Sequence, residues 1–283
     1  VFATKTGNDD FNPDAAAGFI PDFMYNQKVT WLSGANDGAW AYEPKKNWPG
    51  SKLTFFAYAP YTEKGGKTGI TGMTGRNDAG SPKLSFRMDS DIDSQIDLLY
   101  ADAGATENLV KEDRVQLLFY HALSRISFCC TVDETVDVNS KITINGLTFS
   151  SSELGVTGDF NLYSGKWDNL SKQEMSYTLS VAGADLVNSN NGLSSAAGKY
   201  LMIIPSETAV PVEITVDYDI TTTDDKLAGG SVTVQNSVTT SFNHNFEIGK
   251  AYNFTLCISL KTVDVGVEVA DWSDDETDWT PKK

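Results

Sequence analysis

Four aspartates stand close together in Asp89-Ser-Asp91-Ile-Asp93-Ser-Gln-Ile-Asp97. Carboxylates at alternate positions are the ligand set of a Ca²⁺ loop. The match to the EF-hand pattern breaks at the sixth position, Ser94 in place of Gly, and at the twelfth, Tyr100 in place of Glu. The plainer reading is a polar loop leading into a strand at Ile96. His121 falls on the apolar phase of its segment, as a buried structural histidine does, and His244 sits in the turn-like Asn243-His244-Asn245. With two histidines in the chain and no nucleophile motif, a Ser-His-Asp arrangement has little support. Among 38 acidic residues nothing selects the facing pair that glycoside hydrolysis needs. No catalytic, cofactor-binding or metal-binding residue is assigned, and the chain reads as non-enzymatic.

Two further groups carry alternative readings. Trp31, Trp40, Tyr42, Trp48, Tyr58 and Tyr61 are dense in one stretch. They would make either a sugar-stacking platform or core filling, since aromatics supply much of a small sandwich's buried area. Core filling is expected, with Trp40, Trp48, Phe55 and Tyr58 mainly buried. Cys129, Cys130 and Cys257 are odd in number with two adjacent, which is not a disulfide framework. Cys130 shares the phase of Ile126 and Phe128 and reads as core. Cys129 and Cys257 would bridge only if their Cα atoms came within about 7 Å.

These residues sit in a chain of 283 residues with a net charge of −16 and a pI near 4.4. Nucleic acid is excluded as a partner, because a phosphate-binding face needs a basic patch. No apolar run approaches the ~20 residues of a membrane helix. The chain opens at Val1, so either an export signal has been removed or the sequence starts late. Any membrane attachment would run through a lipid anchor upstream of Val1.

The elements that must position all of this are strands. Val212, Ile214, Val216, Tyr218 and Ile220 alternate with Glu213, Thr215, Asp217 and Asp219, and Val263, Val265, Val267 and Val269 alternate with Asp264, Gly266, Glu268 and Ala270. Period-2 patterning with one apolar and one wet face is the product of antiparallel sheets. Further strands are expected at residues 53–58, 83–87, 141–149, 158–163, 177–181, 200–204 and 252–260, and short helices at 101–110 or 168–175. In residues 115–132 the apolar set moves from odd positions (Val115, Leu117, Phe119, Leu123) to even ones (Ile126, Phe128, Cys130, Val132). A phase shift inside one strand implies a bulge or bend near Ser124–Arg125. A domain junction is expected just before it, at the charged residues 111–114. That gives an all-β chain with domains at 1–113 and 114–283.

Several blocks together carry a family resemblance. Leu53-Thr-Phe55-Phe-Ala-Tyr58-Ala-Pro60-Tyr61 is followed by Gln95-Ile-Asp97-Leu-Leu-Tyr100-Ala101, then by His121-Ala-Leu-Ser124-Arg125-Ile126. Tyr200-Leu-Met-Ile-Ile-Pro205, Phe246-Glu-Ile-Gly249-Lys-Ala-Tyr252-Asn-Phe254 and Val267-Glu-Val-Ala-Asp-Trp272 come later. The chain resembles the Mfa-like branch of the Bacteroidetes fimbrillins over nearly its whole length. The resemblance implies two transthyretin-like β-sandwich domains, export as a lipoprotein to the outer membrane, and assembly into surface fimbriae as a shaft or tip subunit. It also implies proteolytic removal of an N-terminal strand and occupation of the opened groove by a strand of a neighbouring subunit. The corresponding processing region is Val1–Thr6, with Lys5 and Thr6 at the candidate cut and Lys5 where an Arg is usual.

An exposed sheet edge would be the working surface, because unpaired N–H and C=O groups accept an incoming strand. Val263, Val265, Val267 and Val269 are the candidate strand-exchange segment. The expected partners are other fimbrial subunits. A second reading is a tip adhesin that binds glycan, host or bacterial surface ligands through the aromatics of the first domain.

Overall fold

A computed structural model of the chain describes residues 1–15, 18–33, 39–63, 69–101, 109, 115–179, 184–187, 193–194 and 200–272. The structure is all-β. The strands are β1 (Phe2–Gly7), β2 (Thr30–Leu32), β3 (Ala39–Ala41), β4 (Lys52–Phe56), β5 (Tyr58–Ala59), β6 (Ile70–Met73), β7 (Lys83–Arg87), β8 (Leu99–Ala101), β9 (Phe119–His121) and β10 (Ser124–Val132). They continue as β11 (Ser140–Asn161), β12 (Lys166–Leu179), β13 (Ala184–Val187), β14 (Leu193–Ser194), β15 (Leu201–Ile203), β16 (Val210–Thr223), β17 (Ser231–His244), β18 (Lys250–Ile258) and β19 (Val263–Asp271). A single 3₁₀ turn, Ile92–Ser94, is the one helical element among the described residues, and none of their helices is long and apolar enough to cross a membrane.

The chain divides into two compact units. The first holds Val1–Arg87, Ile96–Ala122 and Thr157–Ser171; the second holds Met88–Gln95, Leu123–Val156 and Lys172–Lys283. Each unit thus draws on segments from both sides of the boundary expected between residues 113 and 114. The charged residues 111–114 lie outside the described residues. The chain changes unit between Ala122 and Leu123, close to the phase shift. The expected single bent strand is in fact two strands, β9 ending at His121 and β10 starting at Ser124. The Ala122 N–H donates to the Leu98 carbonyl at 2.8 Å, and the Leu123 carbonyl accepts the Gly249 N–H at 3.0 Å. The break therefore leaves these backbone groups satisfied.

The second unit is a sandwich. One sheet runs β14-β10-β18-β19, with β15 also pairing β10; the other contains β17-β16-β11, with β12 and β13 also pairing β11. The β10–β18 pair is parallel, while β16, β17 and β19 pair antiparallel with their neighbours. Ile126, Phe128, Tyr252, Phe254, Leu256 and Ile258 from the first sheet share one core with Ile142, Ile144, Phe149, Val212, Ile214 and Val216 from the second. Phe128 stacks on Phe254 at 5.8 Å and meets Phe149 at 6.2 Å. Each such fully buried side chain stabilises by roughly 1.5–3 kcal/mol relative to exposure. The alternation read in residues 212–220 is observed: Val212, Ile214, Val216, Tyr218 and Ile220 are buried.

The first unit is made of smaller pieces: β1–β4, β2–β3, β5-β8-β9, and β6–β7 with the Thr157–Asn161 end of β11. Large rings fill it. Phe2, Phe56, Phe86 and Phe160 are fully buried, and Tyr58, held by hydrogen bonds to Asn26 and the Thr62 carbonyl, has its hydroxyl pKa pushed up to about 12 by burial.

Two expectations are corrected. Residues 168–175 form part of β12, not a helix, because pairing with β11 satisfies their backbone and overrides a weak local preference. Trp40 is 70% exposed and Trp31 51% exposed. Their hairpin, β2–β3, pairs with no further strand among the described residues, so the two rings have each other, edge to face at 5.6 Å. Trp48 is half-buried, whereas Phe55 and Tyr58 are buried as expected. The other expected helix, at 101–110, begins on Ala101, which ends β8; 102–108 and 110 lie outside the described residues.

Candidate assembly strands

The N-terminal strand is held on both sides. β1 pairs antiparallel with β4 from Phe2 opposite Phe56 to Gly7 opposite Lys52. On its other edge Ala3 exchanges hydrogen bonds with Met24, N–H to O at 2.9 and 3.0 Å, and accepts a further one from the Phe23 N–H at 3.0 Å. Phe2, Ala3 and Thr4 are buried, with Phe2 edge-on to Tyr25 at 5.6 Å and stacked near Tyr58 at 6.1 Å. Ala3 belongs to a cluster with Phe23, Met24, Leu53 and Phe55. Taking this strand away would leave a slot with unpaired backbone on both walls and apolar side chains along its floor.

Lys5 and Thr6 lie at the far end of that strand. The Lys5 N–H donates to Asp22 Oδ1 at 2.9 Å, and its ammonium pairs with Asp22 Oδ2 at 3.1 Å. The Lys5 side chain is substantially exposed. Thr6 is buried, and its hydroxyl, like that of Thr4, has no hydrogen-bond partner among the described residues.

The valine strand is different. β19 pairs β18 in an unbroken register from Ile258 opposite Val263 to Lys250 opposite Asp271, and it ends its sheet. The four valines share a face, yet burial falls along it. Val263 is 4% exposed, Val265 half-buried, Val267 41% and Val269 52% exposed. The uniform packing face suggested by period 2 is thus half covered, because the opposite sheet reaches β19 at its beginning, where Thr240 Oγ1 donates to the Val263 carbonyl at 2.9 Å. At the other end, Asp271 pairs with Lys250, and the Trp272 N–H donates to the Gly249 carbonyl at 2.8 Å.

The blocks that carried the family resemblance have structural work. His121 Nδ1 lies 3.0 and 2.9 Å from the two Asp97 carboxylate oxygens. The Ala122 carbonyl accepts the Trp167 indole N–H at 2.7 Å, and the Ser124 hydroxyl donates to the Glu247 carbonyl at 2.8 Å. The Arg125 guanidinium lies over Tyr200 at 4.4 Å and Trp272 at 5.3 Å, a cation held between two rings. Sequence reading found these residues as a pattern but missed this role, because partners so distant in sequence are joined only by folding.

The aspartate run is a capping device. The Asp91 N–H donates to Asp89 Oδ1, the Asp93 N–H to Asp91 Oδ1, and Ser94 Oγ to Asp91 Oδ2, which starts the 3₁₀ turn. Such Asx contacts are the usual work of Asp at turns. The three cysteines are free thiols; burial pushes the Cys130 pKa up to about 12. Beyond Asp271 the sequence is strongly acidic, a charge run of the kind that ordinarily forms a solvated tail, and its Asp274, Asp275, Glu276 and Asp278 lie outside the described residues.

A family model described as fimbrillin-like matches residues 1–272. The chain belongs to the fimbrillin-like family. This fimbrillin-like chain is 25% identical to the fimbrium subunit Fim1C of Phocaeicola vulgatus, an alignment that covers 97% of the chain and 82% of that protein. In fold it is similar to a fimbrial protein from Bacteroides vulgatus, with a TM-score of 0.79 at 22% identity over 96% of this chain and 92% of the other. A candidate cell-adhesion protein from Bacteroides ovatus gives a TM-score of 0.53 at 14% identity over 97% and 87% of the two chains.

Proposed function

We infer that this fimbrillin-like chain is a non-enzymatic structural subunit of a cell-surface fimbria that polymerises by strand addition. The observation that carries this reading is β1, paired on one edge by β4 and on the other by Met24, with its apolar side chains buried. Removal of the segment up to Lys5 or Thr6 opens an acceptor slot. A neighbouring copy's Val263, Val265, Val267 and Val269 then supply alternate side chains to it, while main-chain hydrogen bonds supply affinity. Each unit is read as a transthyretin-like sandwich, and the precursor as a lipoprotein anchored at the outer membrane upstream of Val1.

The test is to express the precursor, cut it around Lys5, and look for SDS-resistant polymers. The companion variant carries Val267→Asp and Val269→Asp. Both positions are exposed in the monomer, so the chain stays folded, yet burying two carboxylates in a slot blocks exchange. Cleaved wild-type chain that remains monomeric, or a variant that polymerises equally well, removes this strand as the donor. Purified chain is expected to show no turnover across glycan and peptide substrates; activity abolished by one carboxylate substitution would reverse that reading.

A second reading, a surface-ligand adhesin at a fimbrial tip, is favoured by the exposed Trp31–Trp40 pair. Glycan-array binding lost in Trp40→Ala would support it, and an empty array would remove it.

A further inference from the structure

The strand β17 is fourteen residues long and ends its sheet; among the described residues no strand pairs with its outer edge. Its sequence, Ser-Val-Thr-Val-Gln-Asn-Ser-Val-Thr-Thr-Ser-Phe-Asn-His, contains no Asp, Glu, Lys, Arg, Pro or Gly. Exposed edges are ordinarily blunted by charge, proline, bulges or shortness. β19, the edge of the facing sheet, has Asp264, Glu268 and Asp271. β17 has none of these devices and pairs with β16 without a register shift from His244 to Ser231. Val232 and Val234, on the face it shares with the core-directed Val238 and Phe242, are 46% and 53% exposed.

We propose that the outer edge of β17 is an interface between two copies of this chain, formed by β17 pairing antiparallel with the partner's β17 about a two-fold axis at Val238. An axis centred on a residue keeps like faces together, and Val238 lies next to the midpoint of Ser231–His244, which gives the longest overlap. Val234 then lies opposite the partner's Phe242, and Val232 opposite the partner's His244. On the outer face Ser237 meets the partner's Thr239 and Gln235 the partner's Ser241, pairs with neither charge nor bulk to obstruct them. Val234 gains an apolar cross-strand neighbour and Val232 the face of an imidazole, and a row of open backbone groups is satisfied.

Charge selects this edge for a second copy. The chain carries a net charge of −16, so copies repel over most of their surface. The nearest acidic groups in this sheet, Glu213, Asp217 and Asp219, lie one strand further in, opposite Ser241, Ser237 and Gln235. Across the two-fold they are separated from the partner's strand β16 by three strand spacings, about 14 Å. That exceeds the Debye length of about 8 Å at physiological ionic strength. Asp264 adjoins Val263, whose carbonyl accepts from Thr240 near the axis, so one carboxylate per copy stands close to this edge; the strand itself adds none, which makes it the stretch where two such acidic molecules approach with least repulsion. The pairing needs no removal of β1, so it is open to the uncleaved chain.

The experiment uses the full, uncleaved chain. Sedimentation velocity over a concentration series reaching high micromolar is expected to show a reversible dimer for the wild type. Val234→Lys, or Thr233→Lys at the neighbouring exposed position should the first variant lose its fold, is expected to sediment as monomer throughout. In a Cys257→Ser background, Val238→Cys is expected to give a disulfide-linked dimer under mild oxidation, since the two copies of that residue face each other on the axis. Val232→Cys, about 40 Å from its own counterpart in this register, is not. A wild type that stays monomeric at every concentration overturns the proposal, as does a dimer that both lysine variants leave intact. Dimer loss in the lysine variants without a Val238→Cys link overturns the two-fold pairing and assigns the edge to a different strand.

Discussion

β1 and β19 are the two strands on which assembly would turn, and they are secured in opposite ways. β1 is short, and its pattern of Phe, Ala and Thr announces little, yet it is wedged between β4 and Met24 with its first three residues buried. β19 has the clean valine alternation, yet it is an edge strand whose last two valines are open to solvent. Alternation identifies a face; what lies opposite that face decides whether it is buried. A strand walled on both sides is costly to lose and leaves a sticky slot, whereas a strand paired on one side gives up a ladder and little core.

The largest expected effect tests that contrast. Phe2→Ala should destabilise by about 3–5 kcal/mol in urea unfolding, the range for removing a buried aromatic ring, while Val269→Ala should stay within about 0.5 kcal/mol. Equal losses would break the comparison. Within β19 the gradient itself can be sharpened: Val263→Ala should lose about 2 kcal/mol and Val267→Ala should be nearly silent. A flat profile would mean that the exposure gradient does not describe the strand in solution.

A smaller effect runs the other way. The Thr6 hydroxyl is buried without a partner, so Thr6→Val should raise stability by about 1 kcal/mol by removing an unpaid desolvation cost. A loss on that substitution would show that the hydroxyl finds a partner.

The smallest effect is a pH slope in the second unit. The His244 ring packs against Phe246 at 4.9 Å and Tyr252 at 5.1 Å, and burial lowers its pKa from the ordinary 6.5. The unfolded chain then binds the proton more readily than the folded one. This contribution to stability is complete above the unfolded value and is lost as pH falls through the window below 6.5. His244→Gln should flatten that part of the profile relative to wild type, with the region above unchanged. Identical profiles would place the imidazole in solvent.

Sequence patterning by itself determined the fold class, because period-2 alternation in segments such as 212–220 is a property of the chain that any sheet must respect. The shift from Leu123 to Ile126 is written in which residues are apolar and lies close to one passage between the units, at 122/123; the passages at 87/88, 95/96, 156/157 and 171/172 carry no such mark. The blocks around Asp97, His121 and Arg125 were legible as a family pattern, though not as contacts. Only the tertiary structure decided which apolar faces are covered. Trp40 and Val269 read like core residues and stand exposed, because the hairpin that carries Trp40 pairs with nothing else among the described residues and the facing sheet meets β19 only at its start. The walls around β1 and the edge of β17, unpaired among the described residues, were decided there too, because strand neighbours are set by long-range pairing, and one strand's residues do not encode which strand, if any, lies beside it.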